Sequence, residues 1–230
     1  MSIRSLHQAQ SRARYGAVIF DVDSTVASIE GVDWLAERRG EPLATEIRVL
    51  TEQAMAGAIP LESVYTRRLE LIRPTRDELR ELGAAYVAAV QPGARALCAV
   101  LLAAGCELAL VSGGLREAIL PLAHHLGVDD EDVHAVDIDF DTTGAFAGLR
   151  GDQPLATTRG KPQVLHALRG EFTRPVVMVG DGSTDAAVRG VSDAFIAYTG
   201  VTRREAVVAV ADAEATDFKS LYSLLMEGSP

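Results

Sequence analysis

Two aspartates, Asp21 and Asp23, follow directly on the apolar run from Ala17 to Phe20. A carboxylate is a competent nucleophile toward phosphorus, and covalent capture splits one hydrolysis into two easier displacements. Asp21 is suited to that part. A carboxyl two residues on can protonate a leaving alkoxide and, once ionised, take a proton from attacking water. Asp23 is the candidate for it. An Asp-x-Asp pair alone also ends strands and caps helices, so its meaning depends on what the fold brings beside it.

Three other segments supply matching chemistry. Gly180-Asp181-Gly182-Ser183-Thr184-Asp185 places two acids among glycines that let backbone approach closely. Magnesium favours oxygen ligands and takes one or two carboxylates with phosphate oxygens and waters; Asp181 and Asp21 would provide them. Asp185 would orient a water ligand or a lysine. Lys161 carries weight because the chain holds only two lysines, Lys161 and Lys219, and uses arginine elsewhere. A compact ammonium suits a point-charge clamp on a phosphoryl oxygen and its nucleophile. Ser112-Gly113-Gly114 adds a hydroxyl and free amides at an expected helix start, a ready anion site.

These residues need a frame that gathers them. The runs Ala17 to Phe20, Leu108 to Val111, Val176 to Val179 and Ala194 to Ala197 read as strands of a parallel sheet buried on both faces. Helical patterns between them (Ala94 to Ala104, Leu115 to Leu126, Gln163 to Leu168) imply a doubly wound, Rossmann-like α/β core. Three of the four strands end in Asp21, Ser112 and Asp181, and carboxyl ends of parallel strands line the ligand crevice. Residues 27–90 break the rhythm with helices alone and read as a small inserted helical cap, leaving 1–26 and 91–230 as the core. Within the cap, Thr75 and Glu78 form a capping-box pattern. His134 to Arg150 alternates and turns at Thr143-Gly144, which predicts an edge β-hairpin.

Composition narrows the function classes. With 48% apolar residues in 230, the chain can bury a generous core. Asp and Glu number 32 against 22 Lys and Arg, which argues against a broad nucleic-acid surface. Its longest apolar stretch is eleven residues, Ala96 to Cys106, and a bilayer span takes about 20; no membrane partner is expected. Cys98 and Cys106 read as buried reduced thiols of a cytoplasmic protein. Residues 1–14, with Arg4, Arg12 and Arg14 and no acid, read as a frayed tail, with a transit segment as the alternative.

Together, Asp21-Val22-Asp23-Ser24-Thr25-Val26, Ser112-Gly113-Gly114, Lys161 and Gly180 to Asp185 resemble, in order and spacing, the four motifs of the haloacid dehalogenase superfamily of phosphatases. Glu30-Gly31-Val32-Asp33, Met55 to Pro60 and Arg67-Arg68-Leu69 extend the resemblance to the branch acting on O-phosphoserine. It implies that Asp21 is phosphorylated, that Asp23 is acid and base, and that Mg2+ is held by Asp21, Asp181 and the backbone carbonyl of Asp23. It also implies that Glu30 binds the substrate ammonium and Arg68 its carboxylate, with Met55 packing nearby and the cap closing over them. The substrate-binding set so expected is Glu30, Met55, Arg68, Ser112, Gly113, Gly114 and Thr184. Leu61 stands where the family commonly has phenylalanine, and Thr184 where many members have asparagine. The expected partner is a small phosphomonoester, and a homodimer is allowed. Two rival readings are a capped phosphatase or phosphotransferase for another phosphomonoester, and a signalling receiver domain. The helical insert, Asp23 and the length argue against a receiver.

Overall fold

The four strongest apolar runs do form strands, and their lack of polar alternation is explained by burial on both sides. Ala17–Phe20 and Val176–Gly180 are buried along their whole length. The structure, a computed structural model, describes residues 12–227. Most of the segment expected to be a frayed tail lies outside them. In chain order, β1 (Arg12–Ala13) and β2 (Ala17–Phe20) precede four helices. These are α1 (Gly31–Glu37), α2 (Leu43–Met55), α3 (Tyr65–Ile72) and α4 (Arg76–Ala88). Then come α5 (Ala94–Ala103), β3 (Glu107–Leu115), α6 (Arg116–Leu126), β4 (Val133–Val136), β5 (Ile138–Phe140) and β6 (Phe146–Leu149). The last third contains α7 (Gly160–Ala167), β7 (Val176–Gly180), α8 (Ser183–Ala186) and β8 (Ala194–Tyr198). It ends with α9 (Glu205–Val208), β9 (Ala213–Ala215), α10 (Phe218–Leu225) and β10 (Met226–Glu227).

Six strands form one parallel sheet in the order β4-β3-β2-β7-β8-β9. From β2 the chain winds outward through β3 and β4, then returns to the other side of β2 and winds through β7, β8 and β9. That reversal opens a crevice at the carboxyl ends of β2, β3 and β7, where Asp21 and Asp181 stand, with Ser112 three residues short of the end of β3. The fold is therefore the expected doubly wound α/β core.

The helical stretch after β2 leaves and rejoins the core where Ala27 and Val90 bridge. Its capping box is formed: Thr75 Oγ1 accepts from Glu78 N at 3.2 Å, and Glu78 Oε2 accepts from Thr75 N at 2.8 Å. α4 runs along α6 of the core.

The expected hairpin is present as β5 and β6, but its first strand starts later than the alternation implied. Val136 and Ile138 do not share a strand, because the chain turns away at Asp137, whose amide donates to Gln153 Oε1 at 2.9 Å. Val133–Val136 instead joins the edge of the main sheet, parallel to β3, while β5 and β6 form a separate antiparallel pair. The Thr143-Gly144 turn is present, closed by Asp141 Oδ1 accepting from Thr143 N at 2.8 Å and Ala145 N at 3.0 Å. Strand β3 runs on to Leu115, so Ser112-Gly113-Gly114 lies in extended backbone and not at a helix start. Helix α7 begins three residues before the expected Gln163, which puts Lys161 in its first turn. Cys98 and Cys106 are buried and unbridged. No helix among the described residues is long and apolar enough to cross a membrane.

Candidate active site

Asp21 leaves the end of β2 into a tight turn over Val22–Val26. Asp23 is extended there (φ −62°, ψ 134°), and Ser24 adopts a left-handed conformation (φ 53°, ψ 10°). Such backbone costs a non-glycine residue about 1–3 kcal/mol and persists where the surroundings hold it. Ser24 is held by its hydroxyl, which donates to Glu30 Oε1 at 2.7 Å. The turn aims Asp21 and Asp23 into different surroundings.

Asp21 faces Lys161 and the other acids. Lys161 Nζ lies 2.7 Å from Asp21 Oδ1 and 2.6 Å from Asp185 Oδ1, and all three groups are buried. Asp181 joins them: carboxylate oxygens of Asp21, Asp181 and Asp185 come within 4.8 Å of one another. Thr25 Oγ1 donates to Asp181 Oδ1 at 3.1 Å, and Arg204 Nη1 donates to Asp181 Oδ2. Gly180 is required beside them, because a Cβ there would overlap the Asp185 carboxyl. Asp185 also caps the turn, its Oδ2 accepting from Gly182 N at 2.9 Å.

The electrostatics follow from crowding. Burial, and then the charge of Asp21, push Asp181 up to about 8 and Asp185 to about 6. Burial works to lower the Lys161 ammonium, but the Asp185 and Asp21 carboxylates outweigh it and the net shift is upward. Asp21, Asp181 and Asp185 thus gather hard oxygen donors at one point, with Lys161 and Arg204 beside them. That donor set fits magnesium.

Asp23 sits among donors. Its Oδ1 accepts from Gly31 N and from Tyr86 Oη, each at 2.7 Å, and Ser112 Oγ donates to Oδ2 at 3.4 Å. Gly31 has to be glycine, since a Cβ there would overlap the Tyr86 hydroxyl. Burial, then the charge of Asp21, raise Asp23 to about 6. A carboxyl tuned near neutrality can give and take a proton within one cycle.

A cavity opens between these groups and the helical segment. Its walls include Asp21, Asp23, Gly113, Lys161, Asp181 and Thr184 on the sheet side, and Glu30, Thr51, Met55, Leu61, Tyr65 and Arg68 on the helical side. The residues singled out from sequence are thus gathered, with three exceptions. Asp185 lies behind Lys161, and Ser112 and Gly114 stand behind Asp23, without lining the cavity. Arg68 is buried, and its guanidinium Nη1 donates to Thr51 Oγ1 at 2.7 Å. Glu30 is raised well above the ordinary carboxylate range by burial and then by the charge of Asp23. Leu61 is buried in the wall.

Several groups at the site were not foreseen. Arg204 touches Asp181 and reaches Glu52 Oε2 at 3.5 Å, although no motif in the sequence marks it. Tyr86 on Asp23 and Tyr65, whose hydroxyl donates to Gly113 O at 2.6 Å, read as helix-face packing. Further links close the cleft: Ser183 Oγ donates to Ala54 O at 3.1 Å, and Glu62 Oε2 accepts from Thr158 N at 2.9 Å.

Residues 18–188 match the haloacid dehalogenase-like hydrolase family. The chain belongs to that family. Its relatives include phosphoserine phosphatase of Bos taurus, 37% identical over 92% of this chain and 93% of that one. The chloroplastic phosphoserine phosphatase of Arabidopsis thaliana is also 37% identical, over 91% of this chain and 71% of its own length. Among solved structures, a phosphoserine phosphohydrolase-like protein from Francisella tularensis superposes with a TM-score of 0.83 at 27% identity, covering 90% of this chain and 98% of that one.

Proposed function

We propose that the chain hydrolyses O-phosphoserine to serine and phosphate through a phosphoaspartate on Asp21. One observation carries the reading: a single cavity has an acid cluster with a lysine on one wall and a glutamate with a buried arginine on the other. The first set handles a phosphoryl group; the second reads the two ends of a zwitterion. The names of the relatives point the same way.

In this reading Asp21 attacks phosphorus, the bond from phosphorus to the serine oxygen breaks, and Asp23 gives its proton to the departing oxygen. Asp23, now ionised, takes a proton from water as that water attacks phosphorus, which frees Asp21 and releases phosphate. Lys161 holds Asp21 and neutralises charge on the transferring group. Asp21, Asp181 and the Asp23 carbonyl would hold Mg2+, which supplies charge stabilisation at the phosphoryl oxygens. Residues 27–90 act as the cap that excludes water, with Met55 and Leu61 as apolar wall. We assign the activity to the cytoplasm on the two buried, unbridged cysteines, and expect small-molecule partners: the acidic excess disfavours nucleic acid, and the longest apolar stretch is too short for a membrane span. Released phosphate, measured across a panel of small phosphomonoesters with magnesium present, tests the reading. O-Phosphoserine is expected to have the highest kcat/KM, and preference for an ester lacking either the ammonium or the carboxylate would overturn it.

A further inference from the structure

Arg68 is a buried cation with few partners. It is 3% exposed, its Nε finds no hydrogen-bond acceptor, and no carboxylate oxygen lies within ion-pair distance among the described residues. A charge taken out of water in that state is costly unless something fixes and compensates it. Arg68 Cζ lies 5.4 Å from the centroid of the Tyr65 ring, and the one side-chain hydrogen-bond partner of the guanidinium among the described residues is Thr51, also 3% exposed, on the neighbouring helix α2.

Thr51 is itself engaged. Its hydroxyl lies 2.6 Å from Asp33 Oδ1 on α1 and 3.1 Å from Ile47 O, one turn back on its own helix. A hydroxyl has one proton, and the short contact to a carboxylate is the stronger claim on it. Once that proton points at Asp33, the lone pairs of Thr51 face Arg68 Nη1. Asp33 therefore fixes the direction in which the Thr51 hydroxyl can accept. Burial raises the Asp33 carboxyl, while the Thr51 hydrogen bond and the Arg68 charge pull it back. The chain Asp33–Thr51–Arg68 ties three successive helices together, and Arg68 lines the cavity that Glu30 also lines.

We propose that Asp33 and Thr51 are positioning residues that orient Arg68 toward the substrate carboxylate and so set substrate choice. This rests on the reading of Arg68 given under the proposed function. Neither residue touches the reacting atoms; each acts through Arg68.

The test compares kcat and KM for O-phosphoserine and for phosphoethanolamine, which lacks the carboxylate. The proteins are the wild type, Thr51→Val, Thr51→Ser, Arg68→Ala and the Thr51→Val/Arg68→Ala double variant. Losing an oriented hydrogen bond to a charged group should raise the O-phosphoserine KM of Thr51→Val roughly five- to thirtyfold, with a much smaller fall in kcat. Phosphoethanolamine kinetics should scarcely change, and Thr51→Ser, which keeps the hydroxyl, should return the KM toward wild type. In the Arg68→Ala background, Thr51→Val should add nothing. An equal loss on both substrates, or an undiminished effect without Arg68, would overturn the proposal. If Arg68→Ala itself leaves the ratio of the two substrates unchanged, the reading of Arg68 fails and this proposal with it. If Arg68→Ala is selective but Thr51→Val is silent, the proposal alone fails. Should Thr51→Val not fold, Asp33→Ala, which removes the acceptor that directs the Thr51 hydroxyl, carries the same comparison.

Discussion

The Lys161 ammonium stands between Asp21 and Asp185, 2.7 Å from one carboxylate and 2.6 Å from the other, and is the hub of the buried charge. Removing one member of such a group leaves the others uncompensated, at a cost of about 3–5 kcal/mol. Lys161→Met should therefore lose both activity and stability, and magnesium should raise its melting temperature more than it raises that of the wild type. Denaturant unfolding with and without the metal checks this. A loss of stability under about 1 kcal/mol would show that the hub is dispensable.

Asp21→Asn should reduce turnover by at least about three orders of magnitude, since an amide is a poor nucleophile and a residue acting as part of a unit cannot be spared. Rapid quench of the wild type with labelled substrate should trap phosphate on the chain, and the variant should trap none. Labelling of Asp21→Asn at the wild-type level would move the nucleophile elsewhere.

Chelation should abolish activity and magnesium should restore it, while calcium should restore little because its larger, more flexible shell misplaces the carboxylates. Calorimetric titration of the chelated protein gives a second reading: Asp181→Asn should weaken magnesium binding even where no substrate is present. Full turnover in metal-free buffer would remove the metal from the reaction.

Asp23 makes a prediction about pH. Its carboxyl rises from the ordinary 3.8 to about 6 on folding. Between those values the folded chain binds more protons than the unfolded one, so stability falls as pH climbs through the window. Asp23→Asn keeps an oxygen to accept from Gly31 and Tyr86 but cannot ionise. Its stability relative to the wild type should grow across that window and level off above pH about 6, reaching about 1–3 kcal/mol. Unfolding of both metal-free proteins across the range measures it; a gap independent of pH would contradict the shift.

How much of this was legible depended on the reach of each interaction. Asp21 and Asp181 could be found because a buried parallel strand is a continuous apolar run, and its carboxyl end is marked by the first polar residue; the same mark picked out Ser112, although β3 runs three residues past it. Thr75 and Glu78 were legible because a capping box closes within one turn. Val133–Val136 was obscured, since the contacts that break it from Ile138 at Asp137 come from Arg150 and Gln153, far along the chain. Tyr86, Thr51 and Arg204 carry no local mark at all. A tyrosine on a helix face packs in most folds, and only the docking of α4 brings this one to Asp23. Arg204 becomes a partner of Asp181 only when β7 and β8 lie side by side.

The place of β2 in the middle of the sheet also bears on synthesis of the chain. Ala17–Phe20 is made before both of its partners: one edge waits for Glu107 to Leu110 and the other for Val176 to Val179. A nascent chain cut short before β7 keeps a fully apolar strand with an open edge, a template for pairing with other chains. It also lacks Asp181 and Asp185. Premature termination would thus yield aggregating fragments and no weakly active ones, so the active site doubles as evidence that translation reached the far side of the sheet.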